Sequence, residues 1–211
     1  MEKQTAGRQQ LVRSRVGVDR WAKALPSVEA ARPGQCPRCG AASRPVGGGM
    51  VLQGHGTRSR QVRGPAQPGQ QAQVRVVQVR RYRCLACGGT CTVVPWEVTW
   101  RRLYSVAAMA WALALWGLLG MGLEAVRRLV NPWNHTGASE AGRWRTPLRW
   151  LQAVHQGQLL AQVHAMRPWP PHWRPRQAAA HVASVVAGYA PPAAPSPPLS
   201  VLAFMGAARA Q

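Results

Sequence analysis

The chain has 211 residues, 27 Lys+Arg against 6 Asp+Glu, and a formal net charge of +21. That balance excludes an acidic solvating tail, argues against an ordinary metabolic enzyme, and points to a polyanionic partner, either nucleic acid or an anionic membrane surface. Hydrophobic residues reach 46%, but 21 Gly and 18 Pro commit much of the chain to loops, so two modest cores fit better than one large one. Of the bases, 25 are Arg and only Lys3 and Lys23 are Lys. A GC-rich coding bias accounts for Arg over Lys, but not for the shortage of acids.

Residues 1–35 form a basic N-terminal segment with a short predicted helix, Val18–Leu25, stopped by Pro26. Arg32-Pro33-Gly34 reads as a linker. No apolar signal-like run occurs here, which implies a cytoplasmic, nucleoid-associated protein whose cysteines stay reduced.

Residues 36–102 read as a zinc-ribbon domain. Cys36-Pro37-Arg38-Cys39-Gly40 and Cys84-Leu85-Ala86-Cys87-Gly88 are two CxxCG knuckles. Two residues between thiolates let both sulfurs face one ion, and the following glycine closes the turn with a positive φ. Two knuckles together indicate one structural Zn2+ held by Cys36, Cys39, Cys84 and Cys87, with no coordination position left open. The 44 residues between Gly40 and Arg83, counted inclusively, exceed the roughly 15–20 of compact sites. Arg38 and Arg83 adjoin ligands and offset the thiolate charge. Three antiparallel strands are expected: Met50–Gln53, Gln73–Arg83 and Thr90–Val94. The Val76-Val77 pair breaks alternation and suggests a bulge. Cys91 lies within a β pattern and reads as a core residue. His55, between Gly54 and Gly56, reads as a structural loop histidine, with a fifth metal contact or a phosphate contact as alternatives. Arg58, Arg60, Arg63, Arg75, Arg80, Arg81 and Arg83 form a cluster suited to tracking phosphates.

The order CPRCG, GHGTRSR, VRRYRCLACG, TVVP and RRLYS, over residues 18–155, resembles a bacterial family of uncharacterised transposase-associated proteins. In that family a split zinc ribbon precedes a helix-turn-helix. The resemblance implies DNA binding, mobile-element ancestry and Cys36, Cys39, Cys84 and Cys87 as ligands. It also places an apolar or aromatic residue where Cys91 stands, in keeping with a core role.

Residues 103–165 read as an all-α, helix-turn-helix-like domain. Leu103–Leu123 is uncharged over 21 residues, long enough to cross a bilayer. Five alanines and three glycines argue instead for a core helix, Ser105–Trp116. Leu123–Val130 follows as an amphipathic helix. Thr146-Pro147 is a helix start, with Thr as N-cap and Pro at the first position. Leu148, Leu151 and Val154 would be buried on that helix, and Arg149, Gln152, Ala153 and Gln156 would face outward. Arg149, Gln152 and Gln156 are therefore candidate base contacts from a recognition helix, Pro147–Gln156, since Arg and Gln make bidentate contacts to base edges. The connection Asn131–Thr146 is longer than the usual tight turn. Residues 166–211 read as a Pro/Ala-rich low-complexity tail, poorly ordered like the N-terminus, with one Ala-rich helix at Gln177–Tyr189.

After the N-terminal segment only Glu97, Glu124 and Glu140 remain, and no Asp follows Asp19. A two-metal nuclease needs about three convergent carboxylates, so no catalytic site is expected. The combined reading is an α+β protein that is not an enzyme. It has a three-stranded antiparallel ribbon, then helices, and binds DNA as the DNA-binding portion of a transposase would; charge does not choose between DNA and RNA. The alternatives are a zinc-stabilised interaction module, for example with a separate transposase subunit, and a single-span membrane protein.

Overall fold

Val- and Thr-rich extended segments come first in the chain, and Ala-rich helical ones follow. The computed structural model describes residues 10–99, 102–133, 144–166, 169–170 and 172–211, and its class is α+β. The chain divides into two compact units, Met1–Gln61 with Val76–Trp100 and Val62–Arg75 with Arg101–Gln211.

The sheet corrects the three-stranded antiparallel ribbon. It has four strands, β1 (Gln10–Arg13), β2 (Leu52–Gly64), β3 (Gln73–Cys84) and β4 (Thr90–Val94), in the order β1-β4-β3-β2. β3 and β4 are antiparallel, with Tyr82 opposite Cys91 and Arg80 opposite Val93. β1 lies parallel to β4, Gln10 opposite Cys91 and Arg13 opposite Val94. The N-terminal segment thus supplies a strand, and the sheet is mixed. Four residues, QLVR, are too few for a periodic signal, which is why β1 is illegible in the sequence.

α1 (Val18–Lys23) follows β1 and buries Val18 and Trp21. Its N-cap, Gly17, has no side chain to offer, so the cap is brought from elsewhere: the Val18 amide donates to Glu97 Oε2 at 2.8 Å. A negative charge at a helix N-terminus is favourable there. The Trp21 indole N–H donates to the Gln78 carbonyl at 2.6 Å. The Tyr82 hydroxyl donates to the Val28 carbonyl at 2.7 Å, and Arg80 Nε to the Pro26 carbonyl at 2.8 Å. These side-chain bonds hold the N-terminal segment to β3.

β2 is much longer than the short strand expected and absorbs the GHGTRSR stretch, so His55 lies in a strand rather than a loop. The predicted bulge is not at Val76-Val77. Val76 is 59% exposed and Val77 1%, the ordinary alternation. The Leu85 backbone amide donates to the Val51 carbonyl, and the Gln78 side-chain Nε2 donates to Ser59 Oγ at 2.8 Å. Gly56, within β2, has φ +78°, a conformation that glycine adopts at little cost.

In the second unit, α2 (Val106–Gly117) starts at Ser105, whose Oγ accepts from the Ala108 amide at 3.1 Å. Residues Val106–Leu115 are all buried, as a core helix requires. α2 packs against α3 (Leu123–Val130), α4 (Thr146–His155), α6 (Pro175–Ala187) and α7 (Leu199–Gly206), and α5 (Ala161–Met166) packs on α4 and α6. α6 and α7 correct the expectation of a poorly ordered C-terminus: they bury Ala178, Ala179, Val182, Ala183 and Val186, and Ala203. Alanine side chains let these backbones approach closely. A Cβ on Gly117 would collide with the backbone of Ala179 and Ala180, and one on Gly206 with the Val186 carbonyl. The α2 C-terminus is closed by Arg176, whose Nε donates to the Trp116 carbonyl at 3.0 Å and whose Nη2 donates to Gly120. No helix among the described residues is long and apolar enough to cross a membrane.

Gly117→Leu should cost about 1–3 kcal/mol of stability by overpacking, read as a lower urea midpoint at unchanged m. Gly122→Ser, at the α3 N-cap with open space around it, should leave the midpoint the same or slightly raised.

Candidate metal centre and basic surface

The two CxxCG turns fold the same way. In each, the residue after the second cysteine bonds back to the first: the Gly40 amide to the Cys36 carbonyl and the Gly88 amide to the Cys84 carbonyl, both 2.9 Å. In each, the first cysteine's amide reaches five residues ahead, Cys36 to Ala41 and Cys84 to Gly89. Gly40 and Gly88 adopt φ +75° and +67°.

The turns meet, and the sulfurs of Cys36, Cys39, Cys84 and Cys87 lie within 4.8 Å of one another and could hold a metal ion. The cross-knuckle separations are 3.9 Å for Cys36–Cys87 and 3.8 Å for Cys39–Cys84. A tetrahedron with metal–sulfur bonds of about 2.3 Å has edges of about 3.8 Å. Burial disfavours ionising Cys36, but the Cys39 and Arg38 amides and the adjacent thiols outweigh it and bring its pKa down to about 7. The Ala41 amide favours the Cys39 thiolate, yet desolvation and the three other sulfurs push that group up to about 11. Four thiols this close share protons, and a central cation would relieve their mutual repulsion. Arg38 lies across Gly89: a Cβ at Gly89 would stand 2.9 Å from Arg38 Cδ and 3.3 Å from Cys87 Sγ. That puts a guanidinium beside the cluster.

Cys91 stands apart. It is buried in β4, and burial pushes its thiol up to about 11, so it stays neutral. His55 is exposed and outside the cysteine cluster.

The predicted phosphate-tracking arginines divide by environment. Arg58 and Arg83 are exposed. Arg60 is part-buried, with Nη2 donating to the Thr99 carbonyl at 2.9 Å, and Arg80 bonds Pro26 as described. Arg63 stacks over the Trp133 ring at 4.1 Å. The Nε atoms of Arg75 and Arg81 are buried. On α4, Arg149 and Gln152 are exposed, as is Gln156 at its C-cap, and Leu151 and Val154 are buried, but Ala153 is buried too and Leu148 only partly. Thr146 is inside the helix, with Arg145 at the cap position and no side-chain cap bond. Trp150, which the stripe reading overlooked, is 2% exposed and meets Trp144 edge-on at 5.7 Å and Tyr104 at 5.2 Å. Its place one turn before Val154 is the signal that could have found it. Within the long connection Asn131–Thr146, residues 134–143 lie outside the described residues.

No family model, no curated protein and no solved structure matches the chain.

Purified chain should bind one divalent metal ion with four sulfur ligands. Cys84→Ser should abolish stoichiometric binding and unfold the sheet unit, because metal affinity of this kind is folding energy; Cys91→Ala should keep the stoichiometry. X-ray absorption on the wild type checks the ligand set, and a nitrogen in the first shell would remove the all-sulfur assignment.

Proposed function

We infer that this chain is a nucleic-acid-binding protein, stabilised by one structural zinc ion, with duplex DNA as its main ligand and no nuclease activity of its own. One observation carries the reading. Between Glu29 and Glu97 the sequence holds ten arginines and no acid. The flanking acids are engaged within the fold: Glu29 pairs with Arg32 and Arg44, and Glu97 caps α1. The stretch itself contributes no carboxylate, so β2 and β3 carry a strong excess of positive charge in their own sequence. Such a surface attracts phosphates by releasing condensed counterions.

Zinc is the metal that the four-thiolate set fits best, since tetrahedral sulfur coordination without an open position is its structural mode. It would pin the knuckles and supply no chemistry. A DNA-binding portion of a transposase, the reading drawn from the family resemblance, agrees with this surface, and α3 with α4 would serve as its helix-turn-helix-like part. A second reading, an interaction module, draws on exposed apolar residues near the knuckles, Val46, Met50 and Leu85.

Replacing the exposed pair Arg58 and Arg83 with Ala should weaken binding to all duplexes alike. The log K against log [salt] slope should flatten by up to about 0.9 per lost phosphate contact. Arg80→Ala should instead lower stability, because Arg80 holds Pro26. An unchanged slope in the Arg58/Arg83 variant would count against nucleic-acid binding through this face.

A further inference from the structure

The cationic surface explains attraction to a duplex but not how a sequence would be read. One face of the β2–β3 ribbon has the chemistry for that, and its side chains carry no charge. Ser59 Oγ accepts from Gln78 Nε2 at 2.8 Å, so these two side chains share a face. Alternation puts Thr57 and Gln61 on the same face of β2 and Val76 on the same face of β3. All five residues are exposed. Val77 and Val79 are buried on the opposite face of β3, where Arg60 of β2 bonds the Thr99 carbonyl. Farther along β3 the first face is covered instead by the N-terminal segment, with Arg80 bonded to Pro26 and Tyr82 to Val28, so the open stretch is bounded by Gln78. The ribbon therefore presents a row of hydrogen-bonding groups and one apolar side chain to solvent, with β2 at the sheet edge and Arg58 beside it.

We propose that this face, Thr57, Ser59, Gln61, Val76 and Gln78, enters the major groove of duplex DNA and reads A·T pairs. The proposal rests on the nucleic-acid reading above and deepens it. The major groove admits a two-stranded β-ribbon. The bond to Ser59 fixes the Gln78 amide, leaving Oε1 and the second amide hydrogen for a bidentate contact. Adenine offers the complementary pair, an N6 donor and an N7 acceptor. Val76, exposed among polar neighbours, suits the thymine C5-methyl, which apolar side chains recognise. The arginines supply affinity and the neutral face supplies selection, the division expected between phosphate and base contacts.

The test is selection of duplexes from a randomised pool by the metal-loaded full chain, followed by affinities on selected and random duplexes. A·T steps should be enriched. Gln78→Ala should weaken binding to the selected duplex by about 5- to 100-fold, with random-duplex affinity and salt slope unchanged, since no charge is lost. Val76→Ala should do the same to a smaller degree. Replacing thymine with uracil in the selected duplex should weaken the wild type and leave the Val76→Ala protein unaffected. Both variants alter exposed side chains, and metal content and circular dichroism matching wild type confirm folding. The ribbon is not the reader if Gln78→Ala keeps the selected-to-random ratio. The same follows if Arg149→Ala with Gln152→Ala is what collapses the ratio, or if random duplexes bind and no sequence is preferred. Failure to bind any duplex would remove the nucleic-acid reading itself.

Discussion

Several arginines of this protein are held by backbone carbonyls. Arg32 reaches Leu52, Arg60 reaches Thr99, Arg80 reaches Pro26 and Arg176 reaches Trp116. With 6 acids for 27 bases, carboxylate partners for most cations do not exist. A carbonyl oxygen satisfies a guanidinium N–H without cancelling its charge. The fold is thus stitched by the same residues that keep it strongly cationic. At Arg176 the carbonyls belong to a helix C-terminus, where a positive charge also meets the helix dipole. The few acids are used where a full negative charge matters most: Glu97 at the start of α1 and Glu124 beside Arg127, whose side chain is nearly buried.

This arrangement explains which parts were legible in the sequence. The cysteine spacing specified a local turn twice over, so Cys36, Cys39, Cys84 and Cys87 could be grouped before any fold was known. α2 and α3 were readable because an uncharged run and an amphipathic stripe each fill a helix length. β1 was not, since four residues carry no period and its partner β4 lies far along the chain. Nor was the length of β2. Its residues Gln53–Ser59 are exposed on both faces, so no apolar alternation marks them as strand. The C-terminal helices were obscured by composition: prolines between them look like low complexity, while alanines give little hydropathic contrast. Their burial comes from close backbone approach, which Gly117 and Gly206 permit and which no periodicity reports.

The arginine cluster shows a further limit. Seven residues chosen by charge and spacing divide, once folded, into structural and surface sets. Arg80 and Arg60 serve the protein's own backbone, and Arg63 stacks on Trp133. Sequence shows that a guanidinium is present; only the fold shows what it is bonded to. A count of basic residues therefore overstates the phosphate contacts available, and the salt dependence of binding should be smaller than +21 suggests.

The four-sulfur cluster and the β2–β3 ribbon are linked by chain geometry. Cys84 is both the last residue of β3 and the first of its knuckle. The Leu85 amide, one residue on, bonds Val51, just before β2 begins. A metal ion that fixes the Cys84 turn therefore fixes both strands where they meet the knuckles. From that end the strands run on to the neutral face of Ser59 and Gln78. An edge strand with so little apolar surface has weak register of its own. An ion held by the four sulfurs would supply what the strand's side chains do not: an anchored end from which the pairing is counted. The length between the knuckles, unusual for a compact zinc ribbon, is then the length of the ribbon that they hold in place.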